Sequence, residues 1–219
     1  MLKFVKPLLA ITAVLLLSVI PCQASVPVLP GHEPLPDFVK AIMPGTLVEG
    51  AMLKNHPMMK YFSAKSTQKT KHPSNLTATY KLDVKVISMP PEMAPFAQHL
   101  KSQMQEELDK KAQEIREMGE RPRHSTAEGV VEDIDKYPYA TYKTVKMPWG
   151  VGYIKHVQGQ YYPAIYTGEF VGRFDDIIFF EAKVDEAETE KELLDFVTKA
   201  AEIAKSARLK KEFNLNASP

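Results

Sequence analysis

Three groups of side chains in this 219-residue chain have the types and spacing to do ligand chemistry. The first is aromatic: Tyr137, Tyr139, Tyr142, Trp149, Tyr153, Tyr161, Tyr162 and Tyr166 fall within one short stretch. Rings that share the open face of a sheet stack on sugars or grip an apolar ligand or peptide. Trp149, set beside Gly150 and near Gly152, is the leading candidate contact, with Tyr153, Tyr162 and Tyr166. The second group is basic. No acid occurs between Gly50 and Leu82, while Lys60, Lys65, Lys69 and Lys71 are interleaved with Tyr61 and Phe62, a pattern suited to anionic lipid, acidic polysaccharide or the acidic face of a partner. The third is soft: Met52, His56, Met58 and Met59, with Met43 upstream, offer thioether and imidazole ligands of the kind that hold Cu(I). Each group also has a plainer reading. Cross-strand packing accounts for aromatic rings, a solvated loop for lysines, and gap-filling in an irregular core for methionines.

Motifs of covalent catalysis are thin. Ser66-Thr67-Gln68-Lys69 matches the Ser-x-x-Lys of penicillin-recognising enzymes, in which the lysine helps to activate the serine. Four residues with two fixed recur by chance, and neither a Ser-Asp-Asn nor a Lys-Thr-Gly partner is present. The acids Glu132, Asp133 and Asp135, and the pair Asp175 and Asp176, supply carboxylates, but neighbours on a strand point to opposite faces, so adjacency is no sign of a glycosidase dyad. The histidines are dispersed, with no pair at the i, i+4 spacing of a helical zinc site. Spacing therefore assigns no catalytic residue, and no cofactor is expected.

The elements that must position these groups are read from periodicity. Residues 77–88 alternate Ala78, Tyr80, Leu82, Val84 and Val86 against polar neighbours, the pattern of a half-buried strand ended by Pro90 and Pro91. Residues 92–118 place Met93, Ala97, Leu100, Met104, Leu108, Ala112, Ile115 and Met118 at steps of three and four. This predicts a long helix that packs across its own sheet, ended by Gly119. Residues 127–184 hold 12 of the 20 aromatic residues and read as a meander, with strands at 127–134, 139–147, 151–157, 162–171 and 174–184 separated by turn residues. Thr189 to Glu192 form a capping box that opens a final helix, whose stripe runs from Leu193 to Ala207. The expected fold is α+β, an antiparallel sheet of about five to six strands packed against a long central helix and a C-terminal helix.

At the amino terminus Lys3 and Lys6 precede an apolar run from Leu8 to Ile20 and then Pro21, Cys22, Gln23 and Ala24. That order is the basic, apolar, small-residue order of a secretory signal. As a helix the run spans about 20 Å, against a hydrocarbon core of about 30 Å. Cys22 follows Pro21 rather than the small residue that precedes a lipidated cysteine, so simple cleavage after Ala24 is expected. The mature chain then has no cysteine, which excludes disulfides, thiolate metal sites and cysteine nucleophiles. The organisation expected is a signal at 1–24, a proline-rich tether and irregular lead-in at 25–75, one α+β domain at 76–209 and a frayed tail at 210–219.

Without Lys3 and Lys6 the 28 basic residues fall to one fewer than the 27 acidic ones. Such balance gives no electrostatic reason to expect nucleic acid, and no later apolar run is long enough to span a membrane as a helix. The reading is a secreted or periplasmic, non-enzymatic binding or accessory protein, a monomer or weak dimer, that meets a small ligand or an envelope protein. The alternatives are a secreted hydrolase whose site is assembled from sequence-distant residues, and a Met/His copper-handling protein. Export predicts a mature chain that begins at Ser25, and intact mass measurement of the secreted protein checks it. A mass that retains residues 1–24, or carries acyl chains on Cys22, would overturn it.

Overall fold

Strand β3 (Thr77–Ile87) buries Ala78, Tyr80, Leu82, Val84 and Val86 on one side and turns Thr79, Lys81, Asp83 and Lys85 to the other. In the computed structural model, which describes residues 31–71, 75–122, 124–125, 138–160 and 162–215, β3 lies inside a single sheet. It pairs along its whole length with β2 (Met59–Lys69) and on its other edge with β8 (Ile178–Ala187). Beyond β2 lies β1 (Thr46–Leu53), and beyond β8 lie β7 (Tyr162–Phe174), β6 (Gly150–Gly159), β5 (Tyr139–Met147) and the two-residue β4 (His124–Ser125). The order is β1-β2-β3-β8-β7-β6-β5-β4 and every pairing is antiparallel. The α+β class holds. The signal segment and the strand expected at 127–134 lie outside the described residues.

Among the described residues seven long strands exceed the five to six expected, because residues 46–69 form β1 and β2 where an irregular lead-in is read from the sequence. The cause is visible in β2. Phe62, Ala64 and Ser66 face the core, with Ser66 fully buried, and Ser63, Lys65 and Thr67 face away. Small polar residues on both sides erase the hydropathy alternation that marks β3. The proline-rich approach is packed as well: Glu33 forms a two-way backbone bridge to Met52, at 2.8 and 3.1 Å, and Leu35 is buried.

Each face of the sheet has its own helix. Helix α2 (Ala94–Gly119) begins after a 3-10 turn at Pro91–Met93 and lays Met104, Ala112 and Ile115 over Ile87, Val151, Val171 and Phe179. Its last residue comes so close to β5 that a Cβ on Gly119 would sit 2.8 Å from the Thr144 backbone nitrogen. Gly119 thus serves contact as well as termination. Midway along the helix, Lys111 binds Glu169 of β7 at 2.8 Å and Glu181 of β8 at 2.6 Å. Burial opposes its charge, but the two carboxylates outweigh that and hold its pKa above the usual lysine value. Among the described residues no helix is long and apolar enough to cross a membrane.

On the other face α3 (Glu190–Lys205) buries Leu193, Phe196, Val197, Ala200, Ala201 and Ala204 against even-numbered residues of β8 and β7, among them Phe170, Phe180 and Val184. Burying each large side chain contributes about 1.5–3 kcal/mol. Thr189 caps the helix by accepting the Glu192 N–H at 3.1 Å. The Glu192 carboxylate, expected to close a reciprocal box, is engaged by the fully buried Tyr80, whose hydroxyl donates to it at 2.5 Å. A buried phenol needs an acceptor more than a half-open first turn does. Ser206 then ends α3 and caps α4 (Ala207–Glu212), and Phe213 beyond it packs on Phe62 with ring centroids 6.5 Å apart. The expected frayed tail is therefore packed as far as Phe213. At the β1 end α1 (Asp37–Lys40) contributes Val39 to the same core.

Replacing Tyr80 with Phe keeps the edge-to-face contact with Phe196, at 5.1 Å, and deletes only the hydroxyl. Urea unfolding is expected to show a loss of about 1–2 kcal/mol. No loss would mean that Glu192 needs no phenol.

Candidate functional site

A broad concavity among the described residues lies where α2 passes the ends of β5, β6 and β7. Gln105, Asp109, Ala112 and Arg116 recur at steps of four, three and four, so they line one flank of the helix. That flank faces the turn joining β5 to β6 and the end of β7 across a cleft of about 550 Å³. The volume falls in the range of small-molecule sites. Beside the turn β6 and β7 meet at a pair of glycines: Gly150 pairs with Gly172, and a Cβ on Gly150 would sit 2.0 Å from the Val171 carbonyl oxygen. Backbone, not side chain, thus forms this part of the wall.

Three cations border the cleft, Arg116, Lys146 and Arg173, with Asp109 as the one carboxylate among the lining residues. Arg173 is fixed, donating to the Gln105 side-chain oxygen and pairing with Asp176 at 3.1 Å. Arg116 and Lys146 are exposed and form no ion pair among the described residues. Leu108, Met147 and Val151 supply apolar wall between them. The arrangement can hold the charged end of an organic anion over an apolar surface.

Trp149 borders this cleft, while its half-buried ring turns to the α3 side, 4.9 Å from Phe180 and 5.8 Å from Phe174 between centroids. Tyr153 lies beneath α2 beside Leu108, and burial, then Glu169, raises its pKa. Tyr166 stacks on His156 on the opposite face, and the side chain of Tyr162 lies outside the described set. These rings do not share one open face, because β6 and β7 send Tyr153 and Tyr166 to opposite sides.

The lysines are divided in the same way. Lys60 faces the α3 side, where its ammonium donates to the Phe213 carbonyl and burial lowers its pKa. Lys65 faces the other side and pairs with Glu49 at 3.1 Å. Lys69 is exposed at the end of β2, and Lys71 follows it, its backbone N–H bound by Glu188. Strand alternation thus breaks up a basic patch that reads as continuous in sequence. Ser66 and Lys69 likewise sit three residues apart on a strand, on opposite faces, so the lysine cannot activate that serine.

Among the soft ligands, Met52 is buried on the α3 side and Met59 packs on Ile87, Met104 and Phe179 on the α2 side. His56 organises the β1–β2 turn, its Nδ1 accepting the N–H groups of Met58 and Met59 at 3.2 Å each. Among the described residues no three His, Cys, Asp or Glu side chains converge to hold a metal ion.

A second pocket, which no sequence spacing signals, lies on the α3 face near the start of that helix. His156 and Tyr166 are directly opposed on β6 and β7, with rings parallel within 8° and 4.5 Å apart. Thr141 and Lys143 from β5 and Glu190 from α3 complete a space of about 230 Å³. Lys143 and Glu190 form an ion pair of 2.5 Å. The Nε2 atom of His156 is buried and has no hydrogen-bond partner among the described residues. Burial lowers the His156 pKa and Lys143 lowers it further, while Glu190 opposes the shift. Only the register of the β6–β7 hairpin, opening at Gln158-Gly159, links His156 to Tyr166, and that pairing is the signal a sequence reader could have used. Comparison of the chain with models of known families and with curated proteins finds no match to either.

Because His156 binds its proton less readily folded than unfolded, its contribution to stability is complete above the ordinary histidine value of about 6.5 and is lost as pH falls below it. Urea unfolding midpoints are expected to fall between pH 7 and 5, and to fall less in His156→Gln. Identical pH profiles for the two proteins would refute the assignment.

Proposed function

We propose that this chain is an exported, non-enzymatic binding protein whose ligand is an organic anion with an apolar body. The reading rests on one observation: the cleft beside α2 places Arg116, Lys146 and Arg173 around an apolar wall, with two of the three cations free of any ion pair among the described residues. Two guanidinium groups and an ammonium hold a carboxylate, sulfate or phosphate group through charge-assisted hydrogen bonds, and arginine adds a bidentate fork. Leu108, Met147 and Val151 then take the apolar part. Export is supported by the order of residues in the first 24 positions.

Trp149 supplies the readout, since the residue borders the same cleft while its ring, on the α3 side against Phe180, senses movement of that turn. Fluorescence of the mature protein is titrated with dodecanoate below its micelle concentration, and with dodecyltrimethylammonium as the control of opposite charge. Saturable change with the anion alone is expected, weakened roughly a hundredfold in the Arg116→Gln, Lys146→Gln double variant, since each lost charge-assisted bond is worth about 1.5–3 kcal/mol, a factor of about ten or more. Equal response to both amphiphiles, or no response to the anion, would overturn the reading.

A further inference from the structure

We propose that the pocket formed by Thr141, Lys143, His156, Tyr166 and Glu190 is a second binding site, which takes a neutral sugar ring through its vicinal hydroxyls. Lys143 and Glu190 offer a donor and an acceptor side by side at 2.5 Å. Their charges cancel, so neither a free anion nor a free cation gains from entering. A pair of adjacent hydroxyls gains from both, accepting from the ammonium and donating to the carboxylate.

The Nε2 atom of His156 supplies the third polar contact once the ring turns to bring that atom to the wall of this space. It is buried without a partner among the described residues, a costly state for a ring nitrogen. A hydroxyl can donate or accept, so it satisfies this atom in either tautomer. Ile154 and the rings of His156 and Tyr166 border the same space of about 230 Å³, and such surfaces pack against the C–H face of a sugar. The size fits one ring rather than a chain.

This site is independent of the α2 cleft. The cleft is built at Gly150 and Val151, whereas His156 lies six residues along β6, roughly 20 Å at about 3.3 Å per residue, on the opposite face of the sheet.

The test follows histidine ring resonances of the mature protein by NMR during titration with glucose, galactose, mannose and N-acetylglucosamine, with acetate and trimethylammonium as charged controls. At least one sugar is expected to shift the His156 signals saturably while Trp149 fluorescence stays unchanged. Glu190→Gln and Lys143→Gln, both at partly open positions, are each expected to weaken that response roughly tenfold. If no sugar moves His156, if the charged controls move it equally, or if both variants respond as the parent does, the proposal fails. Because the probes and the reporting ring differ from those of the anion cleft, either site can fail without the other.

Discussion

One sheet carries a core on each face, and the alternation of side chains along most of β6, β7 and β8, broken only near the bulges at their ends, keeps the two apart. On β8, Ile178, Phe180, Ala182 and Val184 join α3, while Phe179 packs with Met104 of α2. On β7, Phe170 and Phe174 join the first core and Val171 the second. A one-residue slip in register would exchange the two sets and present each helix with the wrong surface. This two-sided demand fixes register more tightly than a sheet with one solvated face requires, and the position of both pockets follows from it.

The two pockets also differ in how they are held. The α2 cleft has one wall on a helix that Lys111 ties to Glu169 and Glu181, and Gly119 lets that helix descend onto β5. Its width therefore depends on the seating of α2. The His156 pocket is formed by three neighbouring strands and the first residue of α3, so hydrogen-bonded ladders set its dimensions. Sites on such rigid elements are more exact in geometry than sites bordered by a turn.

Much of the architecture was legible in the sequence. β3, α2 and α3 were readable because each carries one clear period, two for the strand and three to four for the helices, and β5 to β8 because turn residues set off segments rich in aromatic rings. β1 and β2 were not, since Ser63, Ser66 and Thr67 give both faces of β2 a similar polarity, and one of these serines is wholly buried. The sites were less legible than the fold. Trp149 borders the cleft, yet Arg116, Lys146 and Arg173 come from three elements that meet only in the folded chain. The lysine and methionine groups were contiguous in sequence and were separated by strand alternation, which linear spacing does not reveal until the strand itself is recognised.

The pairing of β3 with β8 joins the front of the chain to its far end. A ribosome finishes β1, β2 and β3 while α2, four strands of the meander and α3 are still to be made. Through that interval the Tyr80, Leu82, Val84 and Val86 stripe has no cover, and the outer edge of β3 presents unpaired N–H and C=O groups. The newborn amino-terminal hairpin is thus an adhesive surface with a long wait before β8 and α3 cover it.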